Sequence, residues 1–421
     1  MLRYLGVKDN RICLVSEQPF AHPDWQVIEY HGTATSKELI ADHCIKDGQA
    51  VPKKIGKPAN KLRVALITNW QMECGLANYI RDLANELVEL IGELHLFVER
   101  NPIVPSYLNP KLTPDKITPC WKRGEPLTEL AQAIKNYQPD IVLINHEWGI
   151  FSNARYWLSL LGQLSDFRVI SILHSIFWHQ DKLVSEAPMK EVVVHLDGAK
   201  HVLKEKGNSA TIHVLPHGCP LPSQEPRLWN CYKSEHTIVQ QGFGFAYKGY
   251  ENSIRAIALL KDKYPDIFFT GLYSESPYAK VEHDTLYHHL MEIVDKLGVA
   301  NHVALIRGYQ SDKVLDAYLR TNKVAIFPYA YAKGHECFGS SGAAPYAMSK
   351  GVPVITSSIN HFCNLPTIKA DTPQAMAEQL DRLFSDPQIY RQQIEKQNAY
   401  LQANSWAETA KRFAAIFEDV G

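Results

Sequence analysis

With 421 residues, 45% hydrophobic and 21% charged, the chain exceeds what one core accommodates and has the make-up of an ordinary globular protein of two domains plus an appendage. A formal net charge of -1 excludes a bulk polyanion-binding surface, and no apolar run approaches the ~18 residues of a membrane span, so a cytoplasmic location is expected. Eight scattered cysteines without a C-x-x-C pair argue against a disulfide framework and against a zinc site.

Residues 1–60 read as an N-terminal extension. The pattern predicts short strands over 11–16 and 25–30, a capped helix over 36–44, and a polar linker carrying Lys53, Lys54, Lys57 and Lys61. That basic run is a solvated connector or, in the alternative, a contact for nucleic acid. A first domain spans 61–218. The apolar run over 64–67 predicts a buried strand, followed by a loop and a helix over 75–90 with Leu76, Ile80, Leu83 and Leu87 on one side. Strand, glycine loop and helix open a nucleotide-type βαβ unit, but without G-x-G-x-x-G a dinucleotide is not favoured. A strand over 94–98, a Pro-rich connection over 101–119 and a helix over 127–136 follow. The strand over 140–144 ends at Asn145, His146 and Glu147, and the strand over 169–173 ends at His174 and Ser175. In a parallel sheet both strand ends open on one crevice, so His146, Glu147 and His174 are candidates for a polar ligand or, singly, satisfied structural groups. Strands over 192–195 and 212–215 complete this domain, and 216–220 is the expected hinge.

The second domain, 219–390, restarts the pattern with a strand over 237–241, the tight turn Gly242, Phe243, Gly244, and Lys248 at the start of a helix over 251–260. Further strands are expected over 267–270, 302–306 and 324–327. Arg307, at the end of the second of these, is expected to converge with Lys248 on one anion. After the third, Gly339, Ser340, Ser341 and Gly342 open a helix over 343–350, so that an N-cap hydroxyl, free N–H groups and the positive dipole end are aimed at a diphosphate. Helices over 391–421 are expected to pack back across the domains.

In this order the motifs resemble retaining glycosyltransferase family 4, over roughly 62–421. The resemblance implies a GT-B fold: two Rossmann-like α/β domains whose parallel sheets face each other across a cleft. It implies that the loop ending at Gly75 approaches the donor, that His174 contacts the transferred sugar, and that Lys248 pairs with the diphosphate. Glu336, Phe338, Gly339, Ala347, Met348, Gly351 and Pro353 are similar to the family's E-x-F-G … A-M-x-x-G-x-P-V signature, with Glu336 on the sugar hydroxyls. The implied catalytic set is His174, Lys248 and Glu336. The donor-binding set is Gly75, Arg307, Phe338, Gly339, Ser340, Ser341 and Gly342, with His146 and Glu147 on the acceptor side. The implied activity moves a sugar from a nucleotide diphosphate sugar to an acceptor hydroxyl with retention, using no metal and no cofactor beyond that co-substrate. The acceptor is a glycan, a small molecule, a protein or a modified nucleic acid. Two departures are visible: the family's second glutamate falls at Tyr346, and its Gly-Arg turn is Gly242-Phe243. Competing readings are a nucleotide-sugar epimerase or hydrolase, and a non-catalytic GT-B protein that binds a glycan or a partner.

Overall fold

Val64 to Ile67, Val192 to Val194 and Val324 to Phe327 have no exposed surface, the burial of strands covered on both faces. The computed structural model describes residues 3–8, 11–19, 21, 26–31, 43–46, 49–52, 57–100, 112–178, 188–228, 234–276, 279–332 and 334–419. They form two compact units, Met1–Leu62 with Phe413–Gly421, and Arg63–Arg412.

The first unit is an antiparallel sheet of β1 (Arg3–Lys8), β2 (Arg11–Ser16), β3 (Gln26–Tyr30), β4 (His43–Lys46) and β5 (Gln49–Pro52), in the order β3-β1-β2-β4-β5. Leu5, Val7 and Ile12 are its small core. β1 adds a strand that the sequence pattern does not predict. The helix expected over 36–44 needs correction at its end: 36–42 lie outside the described residues, and Cys44 is strand, pairing with Val51. Of the basic linker, Lys53 and Lys54 lie outside the described residues, and Ala59–Lys61 is a 3-10 turn.

The second unit contains two α/β halves. The first runs β6 (Arg63–Thr68), α1 (Gly75–Leu87), β7 (Glu93–Glu99), β8 (Ile117–Trp121), α2 (Thr128–Tyr137), β9 (Ile141–His146), α3 (Ala154–Gln163), β10 (Arg168–Leu173), β11 (Glu191–Val194), α4 (Asp197–Glu205) and β12 (Thr211–Val214). Its seven parallel strands are ordered β12-β11-β10-β9-β6-β7-β8. The second half runs β13 (Thr237–Phe243), α5 (Tyr250–Leu260), β14 (Phe268–Ser274), α6 (Lys280–Leu297), β15 (Val303–Arg307), α7 (Asp312–Thr321), β16 (Val324–Phe327), α8 (Ala343–Ser349), β17 (Val354–Thr356) and β18 (Ile368–Lys369). Its six parallel strands are ordered β15-β14-β13-β16-β17-β18. Helices α9 (Pro373–Ser385), α10 (Pro387–Ala403) and α11 (Trp406–Glu418) follow. The boundary expected at 390 falls inside α10, whose Gln397 side chain bonds Val352 O and Val354 N of the second half.

In each half the direction of strand addition reverses once, at β6 between β7 and β9, and at β13 between β14 and β16. Connections leaving the carboxyl ends of such a pair diverge and leave a crevice. The residues following β6, β9, β13 and β16 are therefore the ones the fold offers to a ligand. The halves also touch: Phe177 and Cys337 form an antiparallel bridge, Phe338 N donates to Ile176 O at 2.7 Å, and Arg81 pairs with Asp312 at 2.9 Å.

Candidate active site

In the second half β13 leads through Gly244 and the 3-10 turn Ala246–Lys248 into α5. Gly249 has φ 72°, and a Cβ there would lie 2.0 Å from Pro328 O, so only glycine lets this turn press against the chain leaving β16. Lys248 is thereby held with its ammonium 3.9 Å from the centroid of the Tyr329 ring and 4.8 Å from that of Tyr247. Among the described residues no carboxylate pairs with it. Tyr331 stacks on Tyr247 and meets His361 Nε2 at 3.2 Å through its hydroxyl. Burial, helped by the Lys248 charge, pushes His361 down to about 3, so its ring is neutral.

The loop that precedes α8 joins this surface to the first half. A Cβ on Gly339 would lie 2.6 Å from His174 O and 3.6 Å from His361 Nε2; one on Gly342 would lie 3.3 Å from the His217 ring. Ser340 Oγ is buried without a hydrogen-bond partner among the described residues. The hydroxyl cap expected for α8 amounts to a 3.5 Å contact from Ala344 N to Ser341 Oγ, because Gly342 itself occupies the cap. Glu336 is exposed and accepts from Gly334 N at 3.2 Å. Phe338 is an anchor: its ring packs on the first half's core, within 2.8 Å of where a Cβ on Gly198 would be.

Arg307 is not brought to Lys248. β15 is the edge strand, two strands from β13, and the Arg307 guanidinium is held by Glu275 and Asp284 and lies over Tyr287. These carboxylates raise its pKa and already neutralise the charge that the sequence pattern assigns to a diphosphate.

In the first half Gly75 is exposed at the start of α1, with open space around its Cβ direction. His174 follows β10 and is buried, Nε2 lying 2.6 Å from Asn145 Oδ1 and Nδ1 3.3 Å from His195 Nε2. Both of its nitrogens are thus engaged by the protein. The rings of Tyr79 and His195 pack on it, His217 packs on both of those, and Trp406 covers Tyr79 and His217. His146, expected on the acceptor side, turns inward among Trp148, Phe151 and Trp157, and burial lowers it to about 3. Glu147 is half-buried beside the seam between the halves: Oε2 accepts from Ser175 Oγ at 2.8 Å and Oε1 from Trp148 N at 3.1 Å. Burial outweighs these bonds and raises its carboxyl to about 7.

Sequence reasoning singles out neither His195, His217 and Tyr79 nor Tyr329, Tyr331 and His361. One signal was available for His195. β9, β10 and β11 are successive parallel strands, and a histidine stands at or just after the end of each.

Solved structures share this architecture. The fold is GT-B. The Anabaena protein HepE in complex with UDP and glucose is 11% identical with a TM-score of 0.66, covering 85% of this chain and 100% of that one. Sucrose-phosphate synthase from Thermosynechococcus elongatus is 16% identical with a TM-score of 0.63, covering 84% and 98%. A glycosyltransferase from Rickettsia africae is 14% identical with a TM-score of 0.63, covering 85% and 98%. Residues 225–400, which lie in the second GT-B half and its tail helices, match the family of glycosyl transferases group 1. No curated protein matches the sequence. Among the described residues no three His, Cys, Asp or Glu side chains are grouped to hold a metal ion, and no helix is long and apolar enough to cross a membrane.

Proposed function

We propose that the chain is a retaining glycosyltransferase that moves a sugar from a nucleotide diphosphate sugar to an acceptor hydroxyl. One observation carries the reading: Lys248, a cation without a carboxylate partner among the described residues, stands at the second half's switch point beside the loop that reaches His174. The diphosphate lies against Lys248 and the backbone N–H groups of Ser340 to Gly342, and the sugar lies between Gly339 and the end of β10. The bond from the anomeric carbon to the diphosphate breaks while a bond to the acceptor oxygen forms on the same face. The acceptor proton passes to the departing phosphate oxygen, and the nucleoside diphosphate leaves. Lys248 stabilises the charge that develops on that oxygen, and the apolar rings around it strengthen its effect by excluding water.

The match of residues 225–400 to glycosyl transferases group 1 and the UDP and glucose bound by HepE support this reading and make UDP-glucose the first donor to test. Calorimetry with UDP, GDP and ADP tests the donor site, since a protein that binds no donor gives no heat with any of them. Incubation with the nucleotide sugar and candidate acceptors, followed by proton NMR of the product, tests the reaction. The anomeric configuration of the donor is expected in the product, and an inverted product overturns retention. Release of free sugar at the same rate with and without acceptor marks a hydrolase instead.

A further inference from the structure

His174 and His195 are links in a hydrogen-bonded chain whose two ends accept. His195 Nδ1 lies 3.0 Å from Leu215 O, His195 Nε2 lies 3.3 Å from His174 Nδ1, and His174 Nε2 lies 2.6 Å from Asn145 Oδ1. Leu215 O is a carbonyl and cannot donate. Asn145 presents Oδ1 to His174, an orientation in which Nδ2 donates to Thr68 Oγ1 at 3.1 Å and to Leu76 O at 3.5 Å. Thr68 Oγ1 gives its own hydrogen to Asn69 O, so turning the amide over leaves an oxygen facing the Leu76 carbonyl. The chain thus has three contacts, each needing one hydrogen, and two neutral imidazoles supply only two. With the Asn145 amide in this orientation, one contact sets a lone pair against a lone pair whichever tautomers the rings adopt. Three N–H groups, which amount to one positive charge shared by the two rings, satisfy all of them.

We infer that His195 is a positioning residue that shares with His174 one proton, taken from solvent when an anionic ligand enters the crevice, so that the end of β10 then presents a positive charge. The inference rests on the donor-site reading for the identity of the anion.

The surroundings favour such a conditional charge. Tyr79 on α1 lies 4.6 Å from the His174 ring and 5.4 Å from that of His195, within range of a cation–π contact. His217 from the connection after β12 and His146 from β9 are the other titratable groups facing the pair, and both are neutral through burial. The neighbouring carboxyl of Glu147 is taken by Ser175, and across the seam stand Gly339 and the Cys337 thiol. Without a counter-charge, burial lowers His195 to about 4 and His174 well below its ordinary value, so at neutral pH the chain stays one hydrogen short. The Gly339 loop packs on His174 O, so an anion held by that loop would stand next to the end of β10.

Calorimetric titrations of UDP, GDP and ADP at pH 7.5, in two buffers of different ionisation enthalpy, count the protons. About one proton is expected to be taken up per site, and Kd is expected to tighten by up to tenfold per pH unit as pH falls from 8 to 7. His195→Gln, whose amide donates to His174 Nδ1 without an added proton, is expected to keep binding within a few-fold and to lose both the uptake and the pH slope. A nucleotide that binds with equal proton counts to parent and variant overturns the inference and leaves the donor site standing. No binding of any of the three removes the donor site and the inference with it. Nitrogen NMR of the histidine rings in the liganded parent gives the same count without a variant: a third N–H in the pair is expected, and two neutral rings overturn the inference.

Discussion

Beside the switch point of the second half stands a lysine, whereas the strand ends of the first half carry buried histidines. Lys248 lies over the Tyr329 and Tyr247 rings, with no carboxylate partner among the described residues. The groups aligned with it across the crevice are imidazoles that burial holds neutral and a carboxyl that burial holds near neutrality. A fixed charge suits a diphosphate, which is anionic throughout. Groups whose charge depends on a bound anion suit the end of β10, as inferred for His174 and His195. The two halves thus carry different electrostatic designs at their strand ends.

That contrast can be broken or sharpened by experiment. The largest effect expected is on stability in acid. His146, His217 and His361 are held at about 3 and His195 at about 4, against 6.5 when unfolded. The unfolded chain therefore binds protons that the native one refuses. Stability is full above pH 6.5 and falls as pH drops towards 4, by up to about 1.4 kcal/mol per histidine for each pH unit. Thermal melts at pH 7.5 and pH 5 measure it, and an unchanged Tm contradicts the burial of these rings. Next, Lys248→Ala is expected to lower transferase turnover by about 10²–10³-fold while far-UV circular dichroism stays the same. Full activity removes Lys248 from the site.

Gly249→Ala puts a methyl group against the Pro328 carbonyl at a positive φ. It is expected to cost about 2–3 kcal/mol in urea unfolding and to displace Lys248. Glu147→Gln probes the first half. The native carboxyl keeps a proton up to about pH 7 that the unfolded chain releases near 4.5, so its contribution is present below 4.5 and is lost as pH rises through 7. The variant is expected to be more stable than the parent above pH 7 by about 2 kcal/mol and to flatten the slope between pH 4.5 and 7. Equal slopes overturn the assignment. Smallest of all, Arg307→Ala is expected to leave turnover and Tm indistinguishable from the parent, because the two carboxylates facing this surface guanidinium stand away from the crevice.

The double α/β architecture is legible in the sequence because buried parallel strands are written as apolar runs, and each run places the residue after it at the crevice. His174 and Glu147 are found from strand ends in this way, and Lys248 from the glycine turn after β13. β8 is not legible: Pro119 interrupts it, which only an edge strand tolerates, and β8 is the edge. Arg307 is misjudged for a related reason. It also ends a strand, but strand order is set by packing between distant segments, and β15 lies at the rim. Phe338 belongs to a recognisable motif, yet its role as an anchor depends on Gly198 in the other half, a pairing that no local pattern records. The proton deficit of the His174–His195 chain needs Leu215 and Asn145 in place before it exists at all.

Cys337, Phe338 and Gly339 are consecutive, and through Phe177, Ile176 and His174 they fasten one half to the other. Separating those three residues from the first half would also take Gly339 off His174, the two groups between which the sugar is proposed to lie. Opening the seam and taking that proposed site apart would then be a single event.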